Sequence, residues 1–190
     1  CEAAITAKKC GHEVTLYEKR SIGGVLKEAT VSDSKEDLGR LITYYETQLK
    51  KNGIDVVFEE ANVDTIVKGG YDVAILATGA KVRVPEVKGL DSKEAIYAMD
   101  FLDQGAKTDA QNIVVVGGGI VGAETALILA EEQGKNVTIT TRSPEFFVSG
   151  VMGIAYMTRL AMAGVKNCPK MQLIAIEDGK PVFVGPRGIE

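Results

Sequence analysis

A chain of 190 residues, 45% hydrophobic and 25% charged, has the composition of an ordinary soluble globular protein and the length for one large or two small domains. Its formal charge of −4 is mild and its 22 Lys and Arg residues are scattered, which argues against a nucleic-acid or anionic-membrane partner. Cys1, Cys10 and Cys168 form neither a C-x-x-C pair nor a metal-ligand spacing, so no metal centre and no secreted disulfide framework is expected, and a reducing cytoplasm is the expected compartment.

In chain order, Ala3, Ala4, Ile5 and Ala7 supply the apolar side of a helix that Gly11 ends, and Val14 to Tyr17 follows as a short strand. Glu18 stands at the tip of that strand, where a carboxylate can accept both hydroxyl hydrogens of a nucleotide ribose. Gly23 and Gly24 follow at a distance suited to close backbone approach by a ligand; a surface glutamate and a flexible turn are the alternative. His12, in the turn after the helix, has no discernible acid–base partner. Ser34 with Asp37 resembles a capping box, and Leu38, Leu41, Ile42, Tyr45 and Leu49 recur at helical spacing as far as Gly53, with Tyr44 and Tyr45 as packing or surface residues. Ile54 to Phe58 and Val63 to Val67 read as strands, and Tyr71 to Ala80 as a buried strand ending in a turn at Thr78-Gly79. Lys81 to Asp91, polar and interrupted by Pro85 and Gly89, is the best domain boundary, and a helix-like pattern occupies Ser92 to Gln104.

The most informative stretch comes next. Asn112-Ile-Val-Val-Val116 stops at Gly117-Gly118-Gly119, and Ile120-Val121-Gly122-Ala123-Glu124 reopens as an apolar helix running to Glu132. This order predicts a buried parallel strand, a tight turn and a helix N-terminus, which is the form of a phosphate-binding turn. Gly117 would allow the turn, Gly119 would let a pyrophosphate approach the backbone, and Gly122 would let helix and strand pack closely, with Ile120 and Val121 between them at the helix start. The unpaired N–H groups and positive dipole end there suit phosphate. A second strand at Asn136 to Thr140 completes the unit. Four glycines and Glu124 within residues 113–130 fit this reading better than a membrane span, and no signal peptide is visible. Further on, Gly153 to Gly164 reads as helix, and Gln172 to Ile176 with Pro181 to Val184 as a hairpin around Asp178-Gly179.

The chain carries this unit twice. Adding 123 to each number lays Gly11, Val14, Thr15 and Leu16 on Gly134, Val137, Thr138 and Ile139, and Ala3 and Ile5 on Ala126 and Ile128. By the same offset Cys1 falls on Glu124, so the strand and glycine turn of the first unit, about twelve residues, are expected before Cys1. No later strand ends in a glycine turn, so the second unit is expected to be incomplete at its C-terminal end.

Glu18, Gly23-Gly24, Leu76-Ala-Thr-Gly-Ala80, Pro85 and then Gly117-x-Gly119-x-x-Gly122-Ala-Glu124 together resemble the paired FAD and NAD(P)H domains of flavoprotein oxidoreductases. Asp37 to Gly53 followed by Ala77-Thr-Gly-Ala-Lys-Val-Arg-Val-Pro85 is similar, within that group, to the C-terminal half of the bacterial 2,4-dienoyl-CoA reductase and NADH:flavin oxidoreductase family, relatives of trimethylamine dehydrogenase. The resemblance implies an α/β fold of two Rossmann-like nucleotide-binding units, the first incomplete. It divides the chain into a partial FAD-binding domain at 1–84, a linker and connecting helix at 85–108, and an NAD(P)H-binding domain at 109–190. It implies FAD at Glu18, Gly23, Gly24, Thr78 and Gly79, a nicotinamide dinucleotide at Gly117, Gly119 and Gly122, and Glu124 beside the nicotinamide or, alternatively, stabilising the first helical turn through the dipole. FMN and a [4Fe–4S] cluster would belong to a barrel domain of the parent chain, which lies outside this sequence.

Thr141 stands where Glu18 stands in the first unit, and Arg142 follows it. A carboxylate at this position would repel a 2′-phosphate; Arg142 would instead attract it, so NADPH is favoured over NADH, with a solvated loop arginine as the alternative. Hydride transfer from nicotinamide to flavin needs orientation more than acid–base help, so no catalytic side chain is expected. A flavin disulfide reductase is disfavoured, since Ser21 to Val31 contains no cysteine pair. The resulting expectation is an electron-input segment of a reductase acting on an enoyl thioester or similar compound, or else an ADP-binding or scaffold module without hydride chemistry.

Overall fold

In the computed structural model, which describes residues 1–146 and 150–189, the apolar side at the start of the chain becomes helix α1 (Glu2–Lys9), with Ala4 and Ile5 buried. The chain divides into two compact units, Cys1–Lys81 and Val82–Glu190.

In the first unit α1 leads to strand β1 (Thr15–Tyr17), the short helix α2 (Leu26–Ala29), the long helix α3 (Leu38–Lys51) and strand β2 (Asp55–Val57). β1 and β2 are parallel, with Leu16 opposite Val56. Ala4, Ile5, Ile22, Leu49 and Ile54 form the core, with Val14, Leu16, Tyr45 and Val56 packed against it. Ala4 and Ile5 come from the apolar side of α1, and Tyr45 and Leu49 from that of α3, so the periodicity of the two helices accounts for their docking on this small sheet. His12 is exposed in the turn after α1.

Three expectations in this unit are corrected. Ser34 and Asp37 make no capping box: Ser34 lies in a 3-10 turn, Asp33–Lys35, with its hydroxyl 2.9 Å from that of Ser32, and Asp37 makes no side-chain cap but pairs with Arg40 at 3.3 Å. Val63 to Val67 is not a strand but the start of helix α4 (Val63–Gly69), because the Asn62 side chain accepts from the Thr65 N–H at 2.9 Å and Gly70 closes the other end. Tyr71 to Ala80 forms no strand and is exposed throughout, with Val73 at 77%, Ile75 at 65% and Leu76 at 84%. A strand exists by virtue of its ladder, and no strand among the described residues pairs with this run.

In the second unit helix α5 (Ala98–Asp103) is shorter than the helix pattern that predicts it, and buries Phe101 and Leu102. Strand β3 (Asn112–Val116), helix α6 (Ile120–Leu127), strand β4 (Asn136–Thr141), helix α7 (Gly150–Met162) and strand β5 (Lys166–Pro169) follow, giving a parallel sheet of order β3-β4-β5. A π-helical turn, Ile128–Glu132, extends α6, with Ile128 and Leu129 buried. β3 is buried on one side only: Val115 is covered, while Val114 and Val116 on the other face are exposed. That corrects the expectation of a fully buried strand, and the alternation is that of a sheet covered on one face. β5 escapes the sequence reading because Lys166-Asn-Cys-Pro169 lacks strand-like residues; its place follows from pairing with Thr138–Thr141. Strands β6 (Gln172–Glu177), β7 (Lys180–Gly185) and β8 (Gly188–Ile189) form a separate antiparallel sheet, and the β6–β7 turn has Asp178 and Gly179 both at positive φ (49° and 72°), as the hairpin reading requires.

Candidate functional site

The loop between β3 and α6 is the best-defined site feature. Gly117 has φ +126°, a conformation open to glycine and strained for other residues, and its N–H donates to Thr140 O at 2.8 Å, which ties the turn to the end of β4. A Cβ on Gly122 would lie 1.9 Å from Gly117 O, so the glycine is what allows the first turn of α6 to close onto the loop. A Cβ on Gly119 would meet nothing within 4 Å; that face of the loop is open. Gly119 is the N-cap of α6, and its carbonyl accepts from Ala123 N–H at 2.9 Å. The N–H groups of Ile120, Val121 and Gly122 therefore lie at the helix start, where a helix supplies no partner from its own backbone. The side chains of Ile120 and Val121 are exposed beside them. An open face over unpaired donors at the positive end of a helix dipole is the geometry that suits an anionic phosphate.

Gly118, the residue that the G-x-G-x-x-G spacing leaves free, also turns out to be constrained. A Cβ there would lie 2.5 Å from Phe146 Cδ1 and 2.9 Å from Thr141 Cβ. Sequence reasoning missed both Gly118 and Phe146, although three glycines in a row were the available signal. Thr141 is buried at the end of β4, and its Oγ1 accepts from Ser143 N–H at 3.3 Å. Arg142 is exposed next to it.

The first unit contains the equivalent turn. Glu18 follows β1, its N–H donating to Val57 O at 3.0 Å, and its Oε1 accepts from Arg20 N–H at 2.9 Å. Residues 18 and 20 thus do what residues 141 and 143 do, at the 123-residue offset of the repeat. Gly23 and Gly24 lie just beyond, and Arg20 Nη1 is 2.7 Å from Oε1 of the buried Glu28 on α2, an ion pair that spans this turn. Thr78 and Gly79 are exposed in the unpaired run described above. The structure thus collects Gly117, Gly119, Ile120, Val121, Gly122, Glu124, Thr141 and Arg142 in the second unit, and Glu18, Gly23, Gly24, Thr78 and Gly79 belong to the first.

Glu124, one turn into α6, accepts a hydrogen bond from the hydroxyl of Tyr156 on α7. Arg159, one turn further along α7, reaches Glu131 at 2.5 Å, and that carboxylate raises the guanidinium above its ordinary pKa. The pairing of Glu124 was not foreseen, since nothing in the spacing of Tyr156 within its helix signals it.

Among the described residues no group of three or more His, Cys, Asp or Glu is placed to hold a metal, and no helix is long and apolar enough to cross a membrane. Cys1, Cys10 and Cys168 are free thiols, the first two at opposite ends of α1.

The chain is 37% identical over 140 residues to a cinnamate reductase of Clostridium sporogenes, covering 73% of this chain and 20% of that protein. It is 39% identical over 143 residues to an NADH oxidase of Thermoanaerobacter brockii, covering 73% and 22% respectively. It thus spans about a fifth of the length of these curated relatives. Among solved structures, a 2-naphthoyl-CoA reductase in complex with 2-naphthoyl-CoA superposes with a TM-score of 0.86 at 31% identity, over 98% of this chain and 29% of that one. The model of the pyridine nucleotide-disulphide oxidoreductases, a family of NAD(P)H-dependent flavoprotein enzymes with an α/β nucleotide-binding fold, matches residues 1–182, and the chain belongs to that family.

Proposed function

We propose that this chain is the NAD(P)H-handling electron-input segment of a flavin-dependent reductase resembling the 2,4-dienoyl-CoA reductase and NADH:flavin oxidoreductase group. On this reading residues 109–190 bind the nicotinamide dinucleotide, residues 1–84 contribute part of an FAD site, and residues 85–108 connect them. The observation that carries the proposal is the loop at 117–122, where Gly122 leaves no room for a side chain against Gly117 O while the face at Gly119 stays open. The residues present fit a dinucleotide pyrophosphate there: the N–H groups of Ile120, Val121 and Gly122 would hold it, and Arg142 would hold a 2′-phosphate. Glu18, Gly23 and Gly24 would contact the adenosine and neighbouring parts of FAD, with Thr78 and Gly79 beside it. A bound nicotinamide supplies a hydride and a bound flavin accepts it; the part of this chain is to bind and orient, with Glu124 beside the nicotinamide.

The relatives bear on the substrate. Cinnamate is a conjugated unsaturated acid and 2-naphthoyl-CoA an unsaturated thioester, so an enoyl-CoA-like compound reduced elsewhere in a longer protein, on FMN and a [4Fe–4S] cluster in a barrel domain, is the reading we favour.

The test is calorimetric titration of the chain with NADPH and, separately, NADH. NADPH should bind more tightly, and Arg142→Ala should weaken NADPH by about tenfold, roughly the value of one charge-assisted hydrogen bond, while changing NADH by less than about twofold. Binding of neither nucleotide by the unaltered chain would overturn the proposal and leave a scaffold role.

A further inference from the structure

Lys170 stands where the dinucleotide reading gives no reason for a lysine. It follows β5 at φ +60°, a left-handed conformation that glycine and asparagine adopt readily and a longer side chain only with strain. Two hydrogen bonds hold the backbone there. The Lys170 N–H donates to Ser143 O at 3.0 Å and the Met171 N–H to Thr141 O at 2.9 Å, which lays residues 170 and 171 against the loop that carries Arg142. The strand register leads to the same point: Thr141 pairs with Pro169, and one residue further along each segment stand Arg142 and Lys170. Both are exposed, while Thr141 is buried. Two cations on separate backbone segments thus lie beside the end of β4. Like charges on neighbouring segments repel, and an anion shared between them turns that repulsion into attraction. A strained position that keeps a long cationic side chain is accounted for by such an anion.

We propose that Lys170 is a specificity-determining residue, a second cation for the 2′-phosphate of NADPH, reaching it from the end of β5 as Arg142 reaches it from the end of β4. A phosphate monoester carries about −1.5 to −2 charges at pH 7 and three acceptor oxygens, more than the two parallel bonds of one guanidinium fill. Lysine supplies the remainder as a point charge on a flexible stem, which requires no fixed angle of approach. This role rests on the reading that the loop at 117–122 binds NAD(P)H, and it sets the phosphorylated ribose between the ends of β4 and β5.

The experiment titrates the full chain with 2′-phospho-ADP-ribose and with ADP-ribose, which differ only in that phosphate. The unaltered chain should prefer the phosphorylated probe. Lys170→Asn removes the charge and suits the left-handed backbone. It should weaken 2′-phospho-ADP-ribose by about tenfold and ADP-ribose by less than about twofold, with an unfolding midpoint no lower than that of the unaltered chain. Lys170→Gln, which keeps a long side chain without the charge, should repeat the loss, and Lys170→Arg should retain the preference. A lysine that only shapes the turn predicts both affinities unchanged in Lys170→Asn, and one acting through general surface charge predicts that both fall together; either result overturns the inference. If the unaltered chain binds the two probes equally well, the assignment of Lys170 fails while the dinucleotide reading stands. If it binds neither, the dinucleotide reading fails and the inference goes with it.

Discussion

Gly119 and Gly122 both lack a side chain, but for different physical reasons, and alanine separates them. At Gly119 the backbone has φ −83°, ordinary for any residue, and an added Cβ would meet nothing within 4 Å. Gly119→Ala should therefore change stability by less than about 1 kcal/mol, as at other N-caps. Dinucleotide affinity should fall by about tenfold, since the methyl would stand on the face that a pyrophosphate approaches. At Gly122 the added Cβ would lie 1.9 Å from a backbone oxygen that cannot rotate away. Gly122→Ala should cost about 2 kcal/mol of stability through forced displacement of helix and loop. Urea denaturation and calorimetric binding on both variants test the pair; equal stability loss at the two positions would contradict the assignment. Legibility at this scale followed local chemistry. The three fingerprint glycines could be read because their reasons are local to strand, turn and helix. The constraint on Gly118 could not, because it comes from Phe146 and Thr141, which only tertiary packing brings there.

At the scale of elements, sequence patterns located α1, α3, β1, β2, β3, α6, β4, α7 and the β6–β7 hairpin, and misread residues 63–67. Val63, Ile66 and Val67 are β-branched and favour strands, whereas the deciding feature is a single cap at Asn62, two hydrogen bonds from Thr65 at 2.9 and 3.1 Å. None of α4 is buried, so its stability is local. Asn62→Ala should cost about 1 kcal/mol of that local stability and raise amide exchange in residues 66–69 by about fivefold, with little change in the global unfolding midpoint. A global shift as large as the local one would mean that α4 is coupled to the core after all. The second unit follows the pattern-based reading more closely because its β3-α6-β4-α7-β5 order gives each central strand a neighbour. In that order β5 was unreadable, since its four residues carry no strand signal and pairing with β4 decides its conformation.

For the whole molecule, the repeat gives a direct comparison of two copies of one architecture. β4 has β3 on one side and β5 on the other, while β1 pairs with β2 alone among the described residues. In each copy the strand ends in the same side-chain-to-backbone turn, Glu18 with Arg20 and Thr141 with Ser143, so the local structure is kept even where the sheet around it differs. Residues 71–80 have the composition of a strand and its apolar residues, but composition alone does not make a ladder. The backbone N–H groups of β3 and β4 are held in parallel pairing, with Val115 opposite Ile139. Val73, Ile75 and Leu76 instead face solvent. Hydrogen exchange should divide the chain accordingly: amides of 113–116 and 137–140 should be protected, and those of 73–77 should exchange at nearly unstructured rates, because opening there costs almost nothing. The same run should bind a hydrophobic dye, as an exposed apolar stretch does, and Leu76→Lys should reduce that signal without lowering the unfolding midpoint. Protection of residues 73–77 comparable to that of β3 would show that they have found a strand partner in solution, and the copies would then be more alike than their sheets indicate.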